Sequence, residues 1–320
     1  DVYAKNHTAK VKVTDIPNPN PSSIGSGLGT LKYIWSQSST SISETDFATA
    51  QSFVLDTNNE ALIQTDSNLT GTYYLWILAK DNVGNKTIQK SEAYYLDNTA
   101  PTIKCNGSEL RTIWEPAIEA TKDREYVDNN PFVVTDNAMV GELSPRSVSI
   151  RYQKSWNKTS GTYNYTVSKS KIDLSVPGIY RIDYNYIDTA GNTTYATKYV
   201  PVQDTTNPTI TLNSTFVTTY NMGSAEPNWA DAITMNDNSS LPLEFVVEKP
   251  ASFDMNIPNI YTVVFKAKET NTVDIYETWD TNTRTPLESA SLEVTITIID
   301  HLPPTIEILG ANPLVVNRSL

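Results

Sequence analysis

Apolar and polar positions alternate with a period of two through the most hydrophobic parts of this chain. In "GTYYLWILAKDNVGN" (residues 71–85), Tyr73, Leu75, Ile77 and Ala79 fall on one side and Tyr74, Trp76 and Leu78 on the other. That period belongs to a strand with one face on a core. The polar stretches "DNVGN" and "DTAGN" then predict hairpins that need positive φ at Gly84 and Gly191. A second strand-like run follows each, "KSEAYYLD" and "ATKYVPVQD", and three earlier runs end in aspartate: "VKVTD" at Asp15, "FVVTD" at Asp136 and "AITMND" at Asp237. Many short strands between turn signals predict a β-sandwich architecture. Helix is expected only as single turns within 115–125 and 226–232.

The pattern itself repeats. Residues 71–85 align without gaps with "GIYRIDYNYIDTAGN" (178–192), an offset of 178 − 71 = 107. "DNTAPTI" (97–103) recurs at the same offset as "DTTNPTI" (204–210), and "DHLPPTI" (300–306) is a third copy. The third unit carries "NIYTVVFKAKE" (259–269), but Tyr261 precedes Asp300 by 39 residues, whereas Tyr73 and Tyr180 precede Asp97 and Asp204 by 24, so it holds a 15-residue insertion within 270–288. Units at 1–98, 99–205 and 206–302 follow, the first without an opening strand, and a further unit is expected to begin in 303–320. Each seam ends one unit and starts the next. Pro101 and Pro208 fix φ and hold their predecessors extended, which predicts stiff connectors.

Gly-x-Tyr-x-aliphatic at the head of a strand resembles the immunoglobulin pattern in which a Tyr makes a corner two residues before a cysteine. Tyr73, Tyr180 and Tyr261 match that Tyr, and Leu75, Ile182 and Val263 stand where the cysteine would be, so aliphatic packing replaces the disulfide. With its hairpins and seams, the chain over residues 9–306 resembles the tandem Ig-like repeats of bacterial cell-surface and secreted proteins. The resemblance implies an all-β fold: three tandem Ig-like β-sandwiches in an elongated array, without disulfides. It implies a monomeric, non-enzymatic stalk or spacer of an exported protein, extracellular or at the cell surface, with adhesion to a protein or glycan as an added role. The alternatives are a binding module in the third unit and an accessory region of a secreted enzyme.

Charge and chemistry narrow this further. A net charge of −12, from 24 basic and 36 acidic residues, argues against nucleic acid as a partner. No apolar run approaches the roughly 20 residues that span a bilayer, so no membrane insertion is expected of these residues. Cys105 is the only cysteine, His7 and His301 lie at opposite ends, and neither HExxH nor GxSxG occurs. Asp123 and Glu125 read as solvated surface rather than a glycosidase pair.

The seam aspartates Asp97, Asp204 and Asp300 read first as acceptors of turn hydrogen bonds. They also resemble the acidic linkers of cadherins, where carboxylates of adjoining Ig-like units share calcium. Calcium wants about six to eight oxygens, so Asp97 would need help from Asp81, Asp136 or Asp188. One aspartate per seam weighs against it, and no cofactor is the first expectation. In the insertion, Tyr276, Trp279 and Arg284 offer stacking and hydrogen-bonding groups for a glycan or protein, against the plainer reading of a long hairpin packed on its own sandwich. Nothing in the sequence singles out a Lys–Asn–acid trio for an intramolecular isopeptide link of the kind found in some surface Ig-like pilins.

Overall fold

The computed structural model describes residues 2–16, 25–139, 141–157, 162–270, 286–307 and 309, with side chains outside 153–166. Among them the regular elements are β-strands and two short 3-10 turns, with no α-helix. Three sheet pairs follow one another. In the first, Thr8–Lys12 pairs antiparallel with Glu60–Gln64 against a four-stranded sheet ordered Gln51–Ser52, Leu28–Ser36, Gly71–Asp81, Lys86–Leu96. In the second, Thr102–Lys104 pairs with Val133–Thr135 against a sheet ordered Thr162–Lys169, Ser147–Asn157, Gly178–Ile187, Thr193–Gln203, Thr112–Trp114. In the third, Thr209–Leu212 pairs with Ile233–Asn236 against Thr219–Asn221, Leu292–Ile299, Asn259–Glu269, Leu243–Glu248. The fold is a tandem series of β-sandwiches without a disulfide, Cys105 being a buried thiol.

Each core is made by inward residues of both sheets, as the period of two requires. Ala9 and Ile63 meet Leu75 and Ile77; Ile103 and Val134 meet Tyr186 and Ala196; Ile233 meets Val263, Phe265, Val294 and Ile296. The residues in place of the corner cysteine, Leu75, Ile182 and Val263, are all buried.

The tyrosines at the strand starts differ from one another. Tyr180 donates its hydroxyl to the Asp173 carbonyl at 2.7 Å and to the Val176 carbonyl at 3.3 Å. Tyr261 repeats this spacing on Asp254 and Ile257, both at 3.3 Å. Tyr73 departs from the expectation: it is half-buried, and its hydroxyl makes no such bond among the described residues. The glycine two residues before Tyr180 has a steric reason. Gly178 has φ +148, and a Cβ there would lie 2.5 Å from the Tyr152 ring, whose hydroxyl donates to the Pro177 carbonyl at 2.7 Å. Gly84 and Gly191 have φ +96 and +88 in their hairpin turns.

Two expectations are corrected. The Gly71–Asp81 strand is not buried on one face alone: Leu75, Trp76, Ile77 and Leu78 are all buried. Its second face is covered by the segment around the 3-10 turn Glu44–Phe47, whose Phe47 packs on Trp76 and Leu78. In 115–125 there is no helical turn. Ile118–Glu119 instead pairs parallel with Val202–Gln203, satisfying backbone groups that a helix would have turned inward. In 226–232 the single turn forms, as the 3-10 turn Trp229–Ala232. Lys268 and Glu288 bridge antiparallel at the base of the third unit's insertion, and Tyr276, Trp279 and Arg284 lie outside the described residues. The expected further unit also lies largely outside them, and 303–307 contain no strand.

Candidate metal centres at the seams

Both seams begin where a strand stops. Lys86–Leu96 ends at the residue before Asp97 and Thr102–Lys104 starts after Pro101; Thr193–Gln203 ends before Asp204 and Thr209–Leu212 starts after Pro208. Both prolines are buried. With only five residues between strands, the seam aspartate is brought against the end of the following sandwich, where two more strands stop.

Three carboxylates therefore converge at each seam. At the first, Asp97 meets Asp136, just after Val133–Thr135, and Asp188, just after Gly178–Ile187. At the second, Asp204 meets Asp237, just after Ile233–Asn236, and Glu269, the last residue of Asn259–Glu269. In each trio one oxygen from every residue lies within 4.8 Å of the others. Where the sequence shows one aspartate per seam, the fold gathers three carboxylates; Asp136 and Asp188 are two of the helpers named for Asp97, and Asp81 is not among them, since it sits in the first unit's own hairpin, accepting from Val83, Asn85 and the Asn85 amide. Asp300 is exposed and joins no such trio among the described residues.

The turn bonds form as well, on one oxygen only. Asp97 Oδ1 accepts Thr99 N at 3.0 Å, Asp204 Oδ1 accepts Thr206 N at 3.3 Å, and Asp300 Oδ1 accepts Leu302 N at 2.9 Å. Asp97 is 0 % exposed, yet its Oδ2 is buried without a hydrogen bond, as is Asp136 Oδ2. A buried carboxylate oxygen with no donor is costly unless a cation compensates it. The electrostatics agree. Burial, with the Asp97 and Asp188 carboxylates alongside, pushes the Asp136 carboxyl up; burial, with Asp204, does the same to Asp237.

The supporting groups hold the oxygens in place. Asn192 donates its backbone N to Asp188 Oδ1 and its amide to Asp188 Oδ2, both at 2.8 Å, and that amide also reaches the Asp97 carbonyl at 3.0 Å. At the second seam Ser239 Oγ donates to Asp237 Oδ2 at 2.8 Å and Leu287 N to Glu269 Oε2 at 3.0 Å. Beside it, burial of Glu119 is outweighed by hydrogen bonds from Thr205, Thr206 and Asn238, which hold its carboxyl below the usual range. An all-oxygen, carboxylate-rich set with no imidazole or thiolate suits a hard divalent cation such as calcium, not zinc.

Sequence reasoning missed Asp237 and Glu269 as partners of Asp204. The signal was present: Asp188 follows Tyr180 by 188 − 180 = 8 residues and Glu269 follows Tyr261 by the same 8.

No family model and no curated protein matches the sequence. Among solved structures, mouse cadherin-23 domains EC22–24 align at 14% identity over 88% of this chain and 89% of that one, TM-score 0.30. Protocadherin gammaB7 EC3–6, a cis-dimer structure, aligns at 13% identity over 87% of this chain and 70% of that one, TM-score 0.29. Drosophila N-cadherin EC1–4 aligns at 15% identity over 78% of this chain and 63% of that one, TM-score 0.27. At these scores the likeness is loose.

Proposed function

We propose that this chain is a non-enzymatic spacer of an exported bacterial surface protein, built of sandwich units at 1–98, 99–205 and 206–302, whose seams are stiffened by bound calcium. The observation that carries the reading is the first seam: three carboxylates from two adjoining sandwiches converge around buried oxygens that no donor satisfies. Asp97, Asp136 and Asp188 would hold one cation, and Asp204, Asp237 and Glu269 another, with backbone carbonyls and water completing each shell. The cation's role is to bind oxygens of both neighbours at once, which fixes the angle between them. Adhesion is an added role of the third unit, through Tyr276, Trp279 and Arg284.

Calcium bound to the folded chain alone stabilises it by RT ln(1 + [L]/Kd). Melting in millimolar calcium is expected several degrees above melting in chelator, and Asp97→Asn with Asp204→Asn is expected to abolish the difference. Identical melting curves for the parent chain would overturn the cation reading. A glycan and protein binding screen on residues 206–302, with and without Trp279→Ala, tests the adhesive role separately.

A further inference from the structure

The second sandwich buries a lysine where its neighbour buries a valine. Lys198 lies opposite Ile182 on Thr193–Gln203; the matching partner of Val263 in the third sandwich is Val294. The Lys198 side chain is 0 % exposed. Three polar residues surround its amine.

Lys198 Nζ donates to the backbone carbonyl of Asn130 at 2.9 Å and to Asp128 Oδ1, and it lies 3.4 Å from Glu115 Oε1, within ion-pair reach. The other oxygen of the same carboxylate, Glu115 Oε2, accepts the side-chain amide of Asn130 at 2.7 Å. One carboxylate, with a side chain 8 % exposed, therefore touches both the lysine nitrogen and the asparagine amide nitrogen. The side-chain carbonyl of Asn130 accepts from the exposed Asn106 amide at 3.3 Å. The Phe132 ring, its centroid 5.5 Å from Nζ, helps enclose the group.

We infer that Lys198 and Asn130 form an intramolecular isopeptide bond, with Glu115 as the proton carrier. The lysine ammonium gives a proton to the carboxylate, and the freed amine attacks Cγ of Asn130. The Asn106 amide stabilises the negative charge that develops on Oδ1. As the Cγ–Nδ2 bond breaks, the Glu115 carboxyl returns its proton to Nδ2, which leaves as ammonia. The second proton lost from Nζ departs with it, as ammonium. A Cγ–Nζ amide replaces the Cγ–Nδ2 amide, Glu115 is regenerated, and nothing is oxidised or reduced. Holding the amine and its base together out of water, beside the amide, is what lets an unactivated amide react: the side chains of Lys198 and Glu115 are 0 % and 8 % exposed.

The location gives the bond a mechanical sense. It would close the chain from 130 to 198, so that tension entering at Asp97 and leaving at Asp204 bypasses the three long strands between them.

Intact mass spectrometry of the purified, denatured full chain decides the matter, because it does not depend on any variant folding. The expected mass is that of the sequence less one ammonia, with a digest yielding one joined peptide pair that carries residues 130 and 198. Glu115→Gln is expected to restore the full sequence mass. A parent chain at full mass after prolonged incubation at neutral pH would overturn the inference. So would an ammonia loss with no joined pair, as a succinimide at Asn106–Gly107 would give.

Discussion

The tyrosine hydroxyl and the seam carboxylate each show how one atom's surroundings set its worth. Tyr180→Phe removes a bond to two carbonyls in a buried corner and is expected to lower unfolding stability by about 1 kcal/mol. Tyr73→Phe, whose hydroxyl makes no such bond, is expected to leave the denaturation midpoint unchanged. At the seams the expected sign is reversed. Without cation the raised carboxyls of Asp136 and Asp237 make the folded state take up protons before the unfolded state does. Stability in chelator should therefore rise as pH falls from neutral toward the ordinary carboxylate range near about pH 4. Glu44 works in a separate, lower window. Its bonds to Lys80 and Lys86 hold its carboxyl at about 2, so its exposed contribution is lost only on further acidification. With calcium bound the rise is expected to vanish, because the cation takes the place of the proton. Thermal melts across pH, with and without chelator, check both statements.

Among the elements, the Gly71–Asp81 strand carries more than its period suggested. Its second face is a core only because the segment around Glu44–Phe47 folds over it, placing Phe47 on Trp76 and Leu78. Phe47 is 1 % exposed, so Phe47→Ala opens a cavity under a short irregular segment and should destabilise the first sandwich by about 3 to 5 kcal/mol. Hydrogen exchange should show the loss confined to residues 1–98 if the sandwiches unfold separately. The hairpin turns matter in another way. Asp188 and Asn192 fix a turn whose carboxylate then faces the seam, so the same residues that end the strand also bring an oxygen to the carboxylate trio.

For the whole molecule, the two junctions are unequal. At the second, bonds run directly across: Ser240 N to the Ser175 carbonyl at 2.7 Å, Asn238 to the Ala120 carbonyl at 2.8 Å, and Lys122 to the Asp237 carbonyl at 2.9 Å. At the first, Asn192 and Asn137 reach only Asp97 itself, at 3.0 and 3.4 Å. Removing calcium is thus expected to loosen the first junction more than the second. Small-angle scattering should give a radius of gyration well above the roughly 20 Å of a compact globule of this length. Chelation should broaden the distance distribution, and Asp97→Asn alone should do the same in calcium.

The repeat was legible in the sequence because sandwich strands announce themselves locally. Alternation, a glycine where φ must be positive, and a proline after the last strand are properties of neighbouring residues, and they place the hairpins and seams without any tertiary knowledge. Charge and the scarcity of His and Cys bounded the chemistry for the same reason. The sites are another matter, since Asp97, Asp136 and Asp188 stand tens of residues apart and meet only because three strand ends arrive at one end of a sandwich. A single aspartate per seam was therefore a true count along the chain and a false one in space. Lys198, Asn130 and Glu115 are ordinary surface residue types in sequence; the sheet register turns that lysine inward, where it meets the buried Glu115 carboxylate that also holds the Asn130 amide. Period and turn chemistry decide where strands lie, but which polar groups share a dry pocket depends on register and on the crossing of distant segments, and only the folded chain settles that.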